Sequence, residues 1–331
     1  MSRRRLSARA WVAVAWLAAV VVAAVAAPTA VPFPDLSHAS AAPGQPPHWL
    51  GTDAQGQDVA LLLLLGARTV LLVSLPAALL AVGLGALLGS CAGFWQNHRW
   101  RISQATLLAA VLAATATALW PIHIATRPHW ALLVLLGSTA AWRAVRRWRW
   151  GQRPRFFPLD HLVQALMALL DSVPLLVLVL VVAALQRPSV AGLVVLLAAT
   201  CWTTPARLMR AATLQVQARP YVEAARAAGL SDWQVLIRHV WPATWHVLLV
   251  RFPLTVAVLI GLETTLSFLG VGLPPEVPSW GRLLAAVRYT PGSWWLLVLP
   301  GAALAFTLLS LHRLTTSIKR LLPPGFNVTN H

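Results

Sequence analysis

A chain of 331 residues that is 58% hydrophobic and 11% charged lies far below the roughly one-quarter of charged residues found in ordinary soluble domains. Its apolar residues gather in long blocks divided by short polar runs, which is the pattern of a membrane-spanning chain and excludes a soluble enzyme or binding module. The net charge of +17 does not indicate nucleic acid: apart from Lys319 the cations are all arginine, and they sit in short clusters between apolar blocks with no polar stretch long enough to build a basic face.

The first block, 11–27, follows Arg3, Arg4, Arg5 and Arg9 and stops at Pro28. Small residues at 24–27 would also suit a cleaved signal peptide, but an uncleaved N-terminal transmembrane helix over 1–27 is the reading adopted. Residues 28–65 form a loop that is Pro-rich and free of cations as far as Asp58. His38 and His48 in this loop have no ligand-set spacing, so no metal site is expected. Cys91 and Cys201 lie in apolar segments and read as small packing residues. The second block, 66–95, carries Gly85, Gly89 and Gly93 on one helix face, which lets another helix approach closely. The third (103–122) and fourth (128–142) are followed by the most basic stretch, Arg143 to Arg155. The fifth spans 162–185 and is broken by Pro174; the sixth covers 190–208, the seventh 246–269 and the eighth 294–311. A tail over 316–331 closes the chain.

Eight spans with a cytoplasmic N-terminus place twenty of the 26 cations inside and leave Arg127, Arg187, Arg282 and Arg288 outside, with Arg68 and Arg251 near helix ends. Cytoplasmic loops hold the positive charge, so 28–65 is read as periplasmic and 209–242 as a cytoplasmic loop. That loop divides into two short helices with a hinge. Residues 221–228 are helix formers, and Gly229 suits a left-handed cap. Ser231 and Gln234 have capping-box spacing, and Val235, Leu236, Val240 and Trp241 give the second helix an apolar face. Pro242 ends that helix or starts the next span. From physics alone the pair is equally an interfacial anchor or a lever that transmits a push.

The run Glu223-Ala224-Ala225, then Gly229, then Pro242 resembles the EAA loop of binding-protein-dependent ABC importer permeases. Three further stretches resemble the C-type subunit of the dipeptide/oligopeptide/nickel branch. They are Gly51-Thr52-Asp53 with Gly56-Gln57-Asp58 and Gly66-Ala67-Arg68; Leu266 to Pro275 with Pro278-Ser279-Trp280-Gly281; and Trp202, Ala206, Arg207 and Arg210. The resemblance covers 51–95 and 158–315. It implies an all-α polytopic transmembrane bundle, with a permease core at 66–95 and 158–315. It implies ATPase coupling through Glu223, Ala224, Ala225, Gly229 and Pro242, with hydrolysis on two separate cytoplasmic ABC ATPase subunits. It also implies a second permease subunit, a periplasmic substrate-binding protein and a place in the bacterial inner membrane. Peptides, peptide-like compounds or nickel complexes are the implied cargo.

The departures are Gln57 for arginine, Trp241 for leucine, and two surplus spans. The surplus is an inserted hydrophobic hairpin with a basic loop over 96–157, a packing element or a site for lipid or a further partner; as a pair of spans it preserves the sidedness of everything downstream. Asp171 stands one helical turn after Ala168, where the branch has its aspartate. It and Glu263 are read either as lining a pathway or as pairing helices. No P-loop, catalytic triad or cofactor motif is present in the sequence. An ion-coupled secondary transporter would need repeat-related intramembrane charges, and a non-transporting membrane scaffold would leave the loop without an ATPase; these are the alternatives.

Overall fold

Among the described residues, four helices have the length and apolarity of single membrane spans: α1 (Ala8–Ala26), α2 (Val59–Trp95), α9 (Trp241–Phe268), which extends the short helix α8 (Asp232–Val235), and α11 (Trp295–Leu321). Two bent pairs add to them: α3 (Leu159–Asp171) with α4 (Leu175–Leu185), bent by 82°, and α5 (Val190–Cys201) with α6 (Thr203–Gln217), bent by 41°. The structure is a computed structural model that describes residues 8–28, 33–97, 101–103, 154–156, 158–185 and 187–321. Six of the eight spans expected from the sequence therefore fall on described residues; those at 103–122 and 128–142, and nearly all of the arginine-rich stretch, lie outside them. The remaining helices are α7 (Pro220–Ala227) and α10 (Trp280–Ala286).

The chain divides into two units, 1–90 with 166–331, and 91–165. In the larger, α1 runs along α11, where Trp16 Nε1 donates to Thr307 Oγ1 at 3.1 Å and the Trp16 ring tilts against Phe306. α9 packs on α6, α10 and α11. The shared core is built from Val73, Ala77, Ala81, Leu197, Leu259, Ile260 and Leu266, with Val20 and Ala24 from α1. A second cluster joins Val59 and Leu62 to Leu283, Trp295 and Leu296. Small residues set the helix spacing. A Cβ on Gly89 would lie 2.2 Å from the Ala206 carbonyl oxygen, and one on Gly85 2.6 Å from Pro205 Cβ. Outward-facing side chains such as Val12, Leu79, Leu169 and Val195 are exposed, the arrangement expected where lipid rather than water surrounds the helices.

In the smaller unit, the chain leaving α2 and the chain approaching α3 form a short antiparallel ribbon, β1 (Arg101–Ser103) with β2 (Pro154–Phe156). Near it Asn97 Oδ1 accepts the His161 amide at 3.2 Å. The fold is otherwise helical among the described residues. Helix ends differ from those read off the sequence: α2 starts at Val59, α6 runs to Gln217, α9 starts at Trp241 and α11 reaches Leu321. Amphipathic turns continue these spans past the apolar blocks, so 209–242 is not one loop but the end of α6, a helical hairpin and the start of α9.

Candidate functional site

The hairpin between α6 and α9 is built by local rules. Pro220 stands in the first turn of α7, where its missing N–H costs nothing. The helix ends at Gly229, whose φ of +83° is left-handed; its amide donates to the Arg226 carbonyl, and the Leu230 amide reaches back to Ala225. Open space surrounds the position of a Gly229 Cβ, so the glycine is required by its backbone angle and not by close packing. Ser231 and Gln234 form the expected capping box. A π-helical turn, Leu236–Val240, then runs directly into α9, and Pro242 opens α9 in its first turn. Val222, Ala225, Val235, Leu236 and Val240 are buried and fasten the hairpin, whereas Glu223, Ala224, Gly229 and Pro242 are exposed. Of the sequence-predicted docking residues, Ala225 alone faces inward. Trp233 and Ile237, also exposed, add apolar surface.

At the far end of α9 lies a cleft of about 880 Å³, lined by Asp53, Gln55, Gln57, Phe268, Glu276, Arg282 and Arg288 among others. The 28 residues of α9 at about 1.5 Å each put this cleft some 42 Å from the hairpin. Two of the motif-bearing stretches meet beside it. Trp280 Nε1 donates to the Leu63 carbonyl at 3.0 Å, Thr69 Oγ1 to Pro278 O at 2.6 Å, and the Trp280 ring covers Gly66 so closely that a Cβ there would lie 2.3 Å from Cδ1. Trp295 Nε1 donates to Thr52 O at 3.1 Å. Arg282 binds the carbonyls of Pro275, Val277 and Leu273, and Arg288 sits 4.1 Å above the Phe268 ring.

The two intramembrane acids lie in different settings. Asp171 binds Arg207 Nη2 and accepts from Thr203 Oγ1 at 3.3 Å, pairing α3 with α6. It also lines a cavity of about 260 Å³ with Arg251 and Thr255. Glu263 is fully buried within α9 and accepts from Ser267 Oγ at 2.8 Å. The structure does not bring these acids together.

One cluster escaped the sequence reading. His38 and His48, expected to form no ligand pattern, converge with Asp35. His38 Nδ1 lies 2.8 Å from Asp35 Oδ2, and His48 Nδ1 2.9 Å from Asp58 Oδ2. Hydrogen bonds from Ser37 and His38 hold the Asp35 carboxyl well below the usual range, and the bond to Asp58 raises the His48 imidazole. Burial raises Asp53, against the pull of the Gln57 and Gln55 amides on its carboxylate. The Asp35–His38 pair at i,i+3 was a local signal; the approach of His48 and Asp58 was not legible without the loop's path.

Comparison with known proteins bears on these surfaces. A family model described as binding-protein-dependent transport system inner membrane component matches residues 133–328; the match begins inside the segment read as inserted. The chain is similar to a putative peptide transport system permease protein of Brucella suis biovar 1, 28% identical over 288 residues that cover 86% of this chain and 77% of the relative. A probable peptide ABC transporter permease protein of Sinorhizobium fredii is 35% identical over 166 residues, 50% of this chain and 57% of the relative. The glutathione transport system permease protein of Pectobacterium atrosepticum is 25% identical over 281 residues, 84% and 72% of the two chains.

Proposed function

Because the chain belongs to the family of binding-protein-dependent transport system inner membrane components, we propose that it is the permease subunit of an ATP-driven importer, carrying peptides or peptide-like compounds such as glutathione. Names of relatives supply the cargo class; the mechanical reading rests on the hairpin. Glu223 and Ala224 stand exposed on a short helix that a glycine hinge, a capping box and a π-turn join to α9. A cytoplasmic ATPase that grips this surface moves α9, and α9 reaches the cleft at its other end. Glu223, Ala224, Ala225, Gly229 and Pro242 thus form the coupling surface, with Ala225 as its inward anchor. The distribution of arginines supports an inner-membrane chain with both termini cytoplasmic. A second permease subunit, two ATPase subunits and a periplasmic binding protein complete the assembly. Asp171 serves as a helix-pairing residue through Arg207, and Glu263 as a buried acceptor within α9.

The test is co-purification of the ATPase with the full-length permease, together with uptake of labelled peptide. Gly229→Asp puts a side chain into a left-handed backbone, a strain that aspartate tolerates better than most residues, and adds charge to the docking face. It should abolish both co-purification and uptake while the protein still reaches the membrane. Intact assembly and normal uptake in that variant would defeat the proposal.

A further inference from the structure

We propose that Asp35, His38 and His48 form a binding site for a divalent transition cation of the zinc class, with Asp58 as the outer carboxylate that orients His48. The three inner side chains each offer one ligand atom, and these atoms lie within 4.8 Å of one another. Asp35 Oδ2 is 2.8 Å from His38 Nδ1 and 3.6 Å from His48 Nε2. A tetrahedral cation with bonds of about 2.0–2.1 Å needs ligand atoms about 3.3 Å apart, and the two observed separations straddle that value. The two imidazole ligand atoms lie within 4.8 Å of each other and would close toward that value as the ion is seated.

The second observation is the state of His48. Its Nδ1 lies 2.9 Å from the Asp58 carboxylate, an acceptor, so Nδ1 carries the proton in the neutral ring and Nε2 the lone pair. Nε2 is buried, has no hydrogen-bond partner, and faces Asp35. A carboxylate behind an imidazole whose other nitrogen is aimed into a cluster is the arrangement that fixes metal-ligating histidines. Asp58 is itself fixed, because its Oδ1 accepts the Ala60 amide at 2.7 Å at the start of α2. Asp35 and His38 are held by the 3-10 turn Leu36–His38, which Asp35 caps, and the Asp35 amide donates to Gly56 O at 2.9 Å.

Binding needs the Nδ1 lone pair of His38, so the neutral ring changes tautomer: the proton now on Nδ1 and directed at Asp35 is given up, and Nε2 takes one from solvent. Three protein ligands leave the fourth position to water. Hard cations such as Mg²⁺, which prefer oxygen donors, are disfavoured by two imidazoles. An ion here would tie the first part of the 33–58 loop to the start of α2. Asp53, Gln55 and Gln57 of the same loop line the cleft, so the ion would stiffen one of its walls. The proposal does not rest on the transport reading.

The experiment uses the full-length chain without a histidine tag, in lipid nanodiscs, stripped with EDTA and titrated with Zn²⁺ by calorimetry. One Zn²⁺ should bind per chain, and Co²⁺ in its place should give a visible absorption band. His38→Gln and His48→Gln should each weaken binding at least tenfold and remove the band. Asp58→Asn, which keeps an oxygen for the α2 cap, should weaken it about 10–100-fold. His312→Gln on α11 should change nothing. As a readout that needs no variant, Zn²⁺ but not Mg²⁺ should raise the melting temperature of the unaltered chain. Affinity that survives both histidine substitutions, or equal stabilisation by Zn²⁺ and Mg²⁺, overturns the assignment.

Discussion

Asp171 and Arg207 form an ion pair between α3 and α6, with side chains 42% and 58% exposed. In water such a pair contributes about 0–1 kcal/mol. Within a bilayer the solvent that rescues a lone charge is absent, so losing one partner costs more than the pair itself contributes. Asp171→Asn and Arg207→Gln should each lower the melting temperature in nanodiscs, and the exchanged double variant Asp171→Arg with Arg207→Asp should recover most of the loss. Coupling across this cycle should reach about 1 kcal/mol; additive single effects would mean that the two side chains do not support each other. The acid was visible in the sequence as a charge inside an apolar block, and both of its possible roles were stated. Its partner was not legible, since the two residues are 36 apart and their meeting depends on the bends at Pro174 and Trp202. The reverse holds for Gly229, whose hinge role follows from local spacing with Ser231 and needed no tertiary information.

Among elements, α2 and α6 make the sharpest claim about packing. Gly85 and Gly89 let the α2 backbone come into contact with Pro205 and Ala206, as the four-residue spacing of the glycines anticipated. Gly83, on the same helix, has nothing within 4 Å of where a Cβ would sit. Gly89→Val should therefore force the helices apart and sharply reduce the yield of folded protein in detergent. Gly83→Ala should be neutral or stabilising by up to about 1 kcal/mol, from helix propensity alone. Equal behaviour of the two variants in size-exclusion profiles and thermal melts would show that the α2–α6 contact does not set the spacing. Apolar blocks located the spans but not their ends. α2 begins seven residues before Gly66 because Asp58 caps it through the Ala60 amide, and α11 extends past Leu311 as an amphipathic helix with Thr315 buried. Hydropathy registers the bilayer; capping and side-chain packing decide where a helix stops.

For the molecule as a whole, α9 is the axis on which sidedness turns. It begins at the π-turn that carries the Glu223 hairpin and ends at Phe268, on the rim of the cleft. Its length of about 42 Å exceeds the roughly 30 Å apolar thickness of a bilayer, so its two ends must emerge on opposite faces if it crosses. Ala227 and Tyr289 are exposed beyond those two ends, which makes them suitable for cysteine labelling after replacement of Cys91 and Cys201. A membrane-impermeant maleimide applied to sealed inverted vesicles should label Ala227→Cys and spare Tyr289→Cys; spheroplasts should give the opposite pattern. The charge asymmetry predicts that direction, because reversing the chain would place the arginine clusters of both the N-terminus and the hairpin outside. Labelling of both positions from one face would mean that α9 does not cross, and the hairpin could then not convey motion through the bilayer. Labelling from opposite faces but with reversed polarity would leave α9 as a span and remove the hairpin from the compartment that holds ATP.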